Sequence, residues 1–235
     1  MKSAFANRVS VLCLASAVVL GGCAMGGNPK DPIEGYNRAM FSVNEGLDKA
    51  LIKPVALGYD AVLPRPVQTG VVNVFSNVAD VPTAINNLLQ GKPAQAFSDG
   101  GRFLINSTLG LLGIFDVASQ MGLEKHEEDF GQTFGRWGIG EGAYVVLPFF
   151  GPRTARDSAG LVVDIYADPI AQIEDVPSRN SLAALRIVSK RAELLKADKV
   201  VEEAALDKYS YIRDAYLQHR RSEVYDGNPP KRVDD

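Results

Sequence analysis

Residues 64–93 read PRPVQTGVVNVFSNVADVPTAINNLLQGKP, and this stretch decides the fold class. After the opening prolines, apolar residues recur at helical spacing until Asp80-Val81-Pro82, which predicts the end of one helix and the start of the next over Thr83–Gln90. A glycine ends this second helix, and a third begins at Pro93 and runs to about Ile105. Short helices of this kind, with proline near the start and glycine or aspartate near the end, predict an all-α chain.

The same pattern continues on both sides of this stretch. Upstream, Asp31 is suited to an N-cap and Pro32 to the first helical position, so a helix is expected to open there. Downstream, further helices are predicted over residues 155–167, over 182–196 with Ser181 as the N-cap, and from about 201 to 225.

Three segments do not fit a helix. Residues 144–150 (YVVLPFF) have the composition of a strand, but Pro148 interrupts it. Residues 130–142 are rich in glycine and aromatic residues and predict a loop. Within it, Phe134–Gly142 is either a mobile or rim element or a rigid tight turn. The charged residues 124–129 predict a solvated turn.

The N-terminus has the organisation of a lipoprotein signal. Lys2 and Arg8 are followed by an apolar run that is too short to span a membrane and then by Leu20-Gly21-Gly22-Cys23. This predicts a signal peptide over residues 1–22, cleavage between Gly22 and Cys23, and attachment of diacylglycerol to the Cys23 thiol and of a third acyl chain to its amine. The alternative is an ordinary secretory signal with an accidental cysteine.

The mature chain is expected to be anchored permanently, since two or three acyl chains are attached. Ala24 follows the lipidated residue, where aspartate would signal retention in the inner membrane, so export to the outer membrane is favoured. Cys13 leaves with the signal, which excludes a disulfide within the mature chain. We expect a tether over residues 23–30, a helical domain over 31–226 and a disordered tail over 227–235.

Charge and hydrophobicity argue against a nucleic-acid-binding protein and against a membrane-spanning helix after Cys23. The net charge is −3, and removal of the signal leaves 23 basic against 28 acidic residues. Nucleic-acid binding depends on phosphate neutralisation, so this chain is a poor candidate for it. The most apolar segment after Cys23 is Phe103–Leu123. Polar residues and glycines interrupt it, so it predicts a buried helix or one lying within a single leaflet.

Residues that would support catalysis or metal binding are sparse. His126 lies among acidic residues, but neighbouring loop residues make a poor coordination sphere, and His219 is distant. Residues 138–143 match a dinucleotide-binding pattern without the strand and helix that it requires. No nucleophile elbow appears. We therefore predict no catalytic residue, no metal and no cofactor beyond the acyl groups on Cys23.

From residue 31 onward the chain resembles the MlaA (VacJ) family of outer-membrane lipoproteins. The resemblance extends in order to about residue 223, and its matching stretches are 31–41 (DPIEGYNRAMF), 86–93 (NNLLQGKP), 102–110 (RFLINSTLG), 113–118 (GIFDVA), 130–135 (FGQTFG), 142–152 (GAYVVLPFFGP), 191–195 (RAELL) and 211–216 (YIRDAY).

This resemblance implies a ring-like, single all-α domain of short amphipathic helices lying in the periplasmic leaflet of the outer membrane. Family members associate with a porin trimer, remove mislocalised phospholipid from the outer leaflet and pass it to a periplasmic carrier of the MlaC type. The expected lipid contacts, at an apolar wall or with the leaflet, are those of Leu109, Leu111, Leu112, Ile114 and Phe115, and core packing is the alternative. The other functions considered are a structural or adhesive surface lipoprotein and a periplasmic lipid hydrolase.

Overall fold

The structure is a computed structural model that describes residues 28–231, without the side chains of residues 199–200 and 202–204. Helices make up most of this part of the chain and a single hairpin completes it. The helices are α1 (Glu34–Leu47), α2 (Lys53–Val62), α3 (Arg65–Leu89), α4 (Pro93–Thr108), α5 (Val117–Gln120), α6 (Phe130–Arg136), α7 (Ala155–Ala167), α8 (Val176–Ala204) and α9 (Lys208–Val224), and the strands are β1 (Tyr144–Leu147) and β2 (Gly151–Thr154). The predicted all-α class is confirmed apart from this hairpin.

Helix α1 begins two residues later than the sequence pattern predicts. Its N-cap is Ile33, and a π-helical turn over Asp48–Ile52 joins α1 to α2. Asp31 is buried instead of capping the helix, and it accepts hydrogen bonds from the Asn37 amide at 2.7 Å and the Tyr209 hydroxyl at 2.5 Å. The prediction of Asp31 as an N-cap was therefore wrong, because tertiary donors engage this carboxylate.

Helix α3 continues through Pro82, where a break was predicted. Proline removes one backbone hydrogen bond, to the carbonyl of Val78, but the 25-residue helix packs against α4, α6 and α8 and remains continuous. The Asn86 amide donates to the Pro82 carbonyl at 3.0 Å. Helix α4 starts at Pro93, as predicted, and the turn before it uses Gly91 at a φ of +75°.

The segment predicted to be a loop over residues 130–142 is helical in its first half. Asp129 caps α6 by accepting the Gln132 N–H at 2.8 Å, and the helix ends at Arg136. The glycines that suggested a loop serve close packing instead. A Cβ atom on Gly131 would lie 2.7 Å from the carboxylate of Asp157 in α7.

The strand-like residues 144–150 form one arm and the turn of an antiparallel hairpin. Tyr144 pairs with Thr154 and Leu147 with Gly151, so Pro148 lies in the turn and does not disrupt the ladder. Asn44 of α1 holds this turn, since its amide donates to the Leu147 carbonyl at 2.9 Å and its oxygen accepts the Phe149 N–H at 2.8 Å.

The C-terminal helices differ from the prediction in their bounds. Helix α7 spans the predicted residues, but α8 begins before Ser181, because Asp175 accepts the Ser178 N–H at 2.9 Å and supplies the cap. Helix α8 then continues past residue 201. Helix α9, which the sequence pattern predicts to begin at about residue 201, starts only at Lys208, after a cap at Asp207.

The packing contacts between elements close a circuit. Helix α1 packs against β1, the hairpin against α7 and α9, and both of these helices against α6. Helix α6 packs against α3, α3 against α8, and α8 against α2, which the π-helical turn connects back to α1. Among the described residues, no helix combines the length and the apolar character needed to cross a bilayer.

Candidate functional site

The distribution of polar and apolar side chains is inverted relative to a water-soluble protein. Within residues 28–231, nineteen polar or charged residues are buried against ten hydrophobic ones. The largest fully buried side chain is Arg102, at 2% exposure, while Phe97 and Leu112 are 79% and 77% exposed. Soluble proteins bury aliphatic residues and expose charges. The outer surface of this fold is therefore suited to an apolar environment and its interior to polar contacts.

A buried ionic cluster lies between α3, α4 and the segment after α5. Arg102 donates to both carboxylate oxygens of Asp116 at 3.1 Å and to the Leu123 carbonyl at 2.6 Å, and its Nε lies 3.7 Å from Asp80. Lys125 makes a short ion pair with Asp80. Burial raises the pKa of Asp80 above its ordinary value, and Lys125 counteracts this.

Four of the residues predicted to form a solvated charged turn, Lys125, His126, Glu128 and Asp129, are half-buried, whereas Glu124 and Glu127 are exposed. His126 Nδ1 lies 3.0 Å from Asp99, which is fully buried, and Glu128 accepts from Lys92 at 2.9 Å. The solvated-turn prediction was therefore wrong for Lys125, His126 and Glu128, because partners distant in sequence engage these side chains. Within the described residues, no group of three or more His, Cys, Asp or Glu side chains is arranged to hold a metal ion.

A second cluster joins α6, α7 and α9. Asp157 is buried and accepts from Arg156 at 3.0 Å and from the Tyr216 hydroxyl at 2.8 Å, while Arg220 bridges it to Asp129. Burial alone would raise the pKa of Asp157, but Arg220, Thr154 and Arg156 together hold it below its ordinary value. The carboxylate therefore remains ionised in the interior.

A third cluster joins the two ends of the domain. The Asp31 carboxylate accepts a hydrogen bond from the Arg213 guanidinium at 3.1 Å, in addition to those from Asn37 and Tyr209. Asn37 also donates to the Tyr144 carbonyl and accepts the Val146 N–H. The small hydrophobic core, which contains Tyr144, Val146, Tyr209 and Leu217, lies beside this cluster.

A cavity of about 930 Å³ is surrounded by the circuit of elements. Its lining comes from the π-helical turn, α3, α6, the hairpin, α8, α9 and the segment before α6, whereas α1, α2 and α7 contribute no lining residue. The apolar part of the lining includes Ile52, Val72, Phe75, Phe150, Ile187 and Leu194, and the charged part includes Lys125, Glu127, Arg153, Lys190, Arg191 and Glu193. The cavity therefore offers both kinds of surface to one ligand, and its size lies in the range of ligand-binding sites.

The five residues predicted to contact lipid do not line this cavity. Leu109, Leu111, Leu112, Ile114 and Phe115 form an apolar loop after α4, with exposures between 44% and 77%. These exposures argue against the alternative that the five side chains pack in the core. Cys23, the predicted lipidation site, and the cleavage site predicted at Gly22 lie outside the described residues, as do residues 232–235 of the predicted tail.

The apolar loop has an unusual and well-fixed backbone. Leu111 and Leu112 adopt φ values of +51° and +59°, a region that non-glycine residues rarely occupy. The strain is held by hydrogen bonds, since the Gly113 N–H donates to the Asn106 carbonyl at 2.8 Å and the Asn73 amide donates to the Ile114 carbonyl at 3.0 Å. The loop thus presents its apolar side chains outward on a rigid frame.

The sequence prediction missed the lining and the buried clusters, although one signal was present. On α3, Asn77, Asp80, Thr83 and Asn87 recur at intervals of three or four residues and are all buried. This is a polar stripe along an otherwise apolar helix, and a helix that turns its polar stripe inward is typical of an inverted interior.

Comparison with known proteins agrees with this geometry. Residues 29–223 match the model of the family described as MlaA lipoprotein. The intermembrane phospholipid transport system lipoprotein MlaA of Escherichia coli (strain K12) is 34% identical over 219 residues, which are 90% of this chain and 86% of that protein. Its counterpart in Haemophilus influenzae is 32% identical over 94% of this chain and 92% of that protein.

A solved structure is similar over the same region. It comes from work on the structural basis for maintenance of bacterial outer membrane lipid asymmetry, and it superposes with a TM-score of 0.72 at 32% sequence identity. The match covers 84% of this chain and 99% of that chain. With the family model matching most of its length, this chain belongs to the MlaA lipoprotein family.

Proposed function

We propose that this protein takes part in intermembrane phospholipid transport and maintains the lipid asymmetry of the outer membrane. In this function it removes mislocalised phospholipid from the outer leaflet and passes it toward the periplasm through the cavity. The observation that carries the proposal is the inverted fold, in which buried charge and exposed apolar side chains surround a cavity with a mixed lining. The names of the relatives as phospholipid transport lipoproteins support it.

The exposed apolar side chains suggest that the domain lies in the periplasmic leaflet. Burial of apolar surface is favourable by about 25 cal/mol per Å². The exposed leucines and phenylalanines of α4 and of the apolar loop therefore favour the acyl region over water. Acyl chains on Cys23 would keep the domain at that interface. The helices need not span the membrane for this arrangement.

The mixed lining is suited to a phospholipid, which has a charged headgroup and apolar tails. Phe75, Phe150 and Ile187 offer contact to the tails, while the charged residues of the lining offer contact to the headgroup. A polar passage through an apolar environment lowers the cost of moving a headgroup out of water. A porin trimer and an MlaC-like periplasmic carrier remain the partners that we propose, on the strength of the family membership.

Filling the cavity is expected to abolish transport without unfolding the protein. Ala79 lies on α3 and lines the cavity, so an Ala79→Trp side chain would enter open space and obstruct the passage. We expect accumulation of outer-leaflet phospholipid, measured by lipid A palmitoylation in a strain that carries only this variant, to approach that of the deletion strain.

The matched control is Ala61→Trp, at an exposed position of α2 outside the lining. It should restore asymmetry as the wild type does, and both variants should retain the wild-type melting temperature. Normal asymmetry in the Ala79→Trp strain would contradict the cavity as the passage. Normal asymmetry in the deletion strain would favour the structural or adhesive role instead.

A charge in the apolar loop is expected to weaken membrane binding. Leu112→Asp removes an apolar contact of about 1.5–3 kcal/mol and places a carboxylate in the acyl region, so the affinity of the unacylated protein for vesicles should fall at least about tenfold. Flotation with phosphatidylethanolamine–phosphatidylglycerol vesicles measures this change.

The control for this prediction is Leu206→Asp, because Leu206 is fully exposed but is followed by Asp207 and Lys208 in the turn between α8 and α9. Its flotation should match the wild type. Equal flotation of the wild type and Leu112→Asp would show that the apolar loop does not enter the leaflet.

A further inference from the structure

Arg153 of β2 differs from the other arginines of the interior. Of the buried and half-buried arginines within residues 28–231, each of the others has a hydrogen bond or an ion pair, whereas Arg153 has neither. Its Nε atom is buried without a partner. An unpartnered buried donor of a charged group is destabilising, and such groups in native proteins call for an explanation.

The acidic groups around Arg153 are engaged elsewhere. Burial raises the pKa of Asp164 to about 6, although Arg153 is close enough to oppose this shift, and the Asp164 carboxylate accepts the Phe130 N–H at 3.0 Å. Asp129, which also lines the cavity, is held by Arg220 at 2.5 Å. The protein thus leaves the Arg153 guanidinium without a carboxylate partner, although it lines the cavity.

We propose that Arg153 is the docking point for the phosphodiester of a phospholipid inside the cavity, an inference that rests on the function proposed above. A guanidinium presents parallel N–H donors that match two phosphate oxygens, which an ammonium cannot do. Lys190 lines the same cavity without an ion-pair partner among the described residues, so it adds positive charge to the lining. Arg191 is paired with Asp48 and Asp198, but its buried Nη1 has no hydrogen bond and offers a further donor.

The apolar lining makes a lipid the better source of this phosphate than a free ion. Phe150 and Ile187 lie in the same cavity and offer nothing to inorganic phosphate, whereas they can contact the glycerol and acyl carbons of a lipid. The two sources share one ligand chemistry, a singly or doubly charged phosphate, and a competition experiment separates them.

The test measures binding of two fluorescent lipids with identical tails to the full acylated protein in dodecylmaltoside micelles. One is phosphatidylglycerol and the other is diacylglycerol, which lacks the phosphate. The wild type should prefer phosphatidylglycerol by at least about tenfold, a difference of about 1.4 kcal/mol. Arg153→Met should abolish this preference while binding diacylglycerol as the wild type does, and Arg153→Lys should keep part of it.

Arg179→Met provides the control, because Arg179 is also half-buried but lies outside the lining. It should retain the full preference. A phosphatidylglycerol preference that survives in Arg153→Met overturns the assignment, as does an equal loss of affinity for both lipids, which would indicate a structural role.

Inorganic phosphate, added at millimolar concentration, distinguishes the two sources. Displacement of phosphatidylglycerol from the wild type by phosphate alone would overturn the lipid assignment in favour of an ion site. Failure of the wild type to bind either lipid would contradict the proposed function itself. Equal binding of both lipids by the wild type would contradict only the role of Arg153.

Discussion

Replacing Arg102 with methionine is expected to lower the free energy of unfolding by about 3 kcal/mol, because the buried Asp80 keeps only Lys125 as a cation and the half-buried Asp116 loses its counterion. Methionine preserves much of the volume of the stem, so the loss is mainly electrostatic. Asp116 loses the Nη2 donor that contacts both of its oxygens, and Asp80 loses one of its two cations. Denaturant unfolding in mild detergent, followed by circular dichroism, measures the change.

The same substitution should loosen the apolar loop. Arg102 fixes Asp116, the first residue after the loop. Burial opposes ionisation of Asp116, but hydrogen bonds from Ser119, Asn106 and Arg102 outweigh it and lower the pKa of this carboxyl to about 2. Chymotrypsin should therefore cleave after Phe115 faster in Arg102→Met than in the wild type. Arg65→Met is the control, since Arg65 is exposed and its ion pair with Asp60 is worth at most about 1 kcal/mol. Equal stability of the two variants would contradict the importance of the buried cluster.

Replacing Gly160 with alanine is expected to force α6 and α7 apart. The added Cβ atom would lie 2.4 Å from the backbone nitrogen of Gly131 and 2.7 Å from its Cα, so backbone rather than a flexible side chain would have to move. That movement would also disturb the contacts of Asp157 with Arg220. We expect a loss of about 3 kcal/mol, at the upper end of overpacking effects, measured as a fall in the denaturant midpoint.

Gly100→Ala is the matched control, because Gly100 lies within α4 and no atom lies within 4 Å of the position that its new Cβ atom would occupy. Alanine is the better helix former there, so this variant should be about 0.5–1 kcal/mol more stable than the wild type. If Gly160→Ala also gained stability, the close approach of α6 and α7 would not be a feature of the folded protein.

The helical class follows from the sequence, but several boundaries do not, and Pro82 shows why. Proline within a helix costs about 3 kcal/mol, and a local pattern gives no measure of the packing that offsets it. Asp80 resembles a stop signal because aspartate often caps helices. In the fold it is buried against Lys125, which is 45 residues away and not recognisable as a partner from the sequence.

The candidate site is less predictable than the fold. The cavity lining is assembled from residues spread between Asp48 and Glu223. In the local sequence they do not differ from residues of ordinary amphipathic helices and loops. Residues 130–136 predict a loop only because their glycines are typical of turns. Gly131 and Gly135 instead face the side chains of Asp157 and Val224 across helix contacts, which depend on topology rather than on local preference.

The ion pair that joins the ends of the domain has a consequence for biogenesis. Asp31 and Arg213 are 182 residues apart, and closing a segment of that length costs about 4–5 kcal/mol of chain entropy before the contact forms. Neighbouring elements such as α3 and α4 should associate early, and the ends should join last. Since synthesis proceeds from the N-terminus, the Asp31 carboxylate lacks Tyr209 and Arg213 as partners until α9 has been made. The native contacts of Asp31 are therefore complete only once nearly the whole chain, including α9, is available to fold.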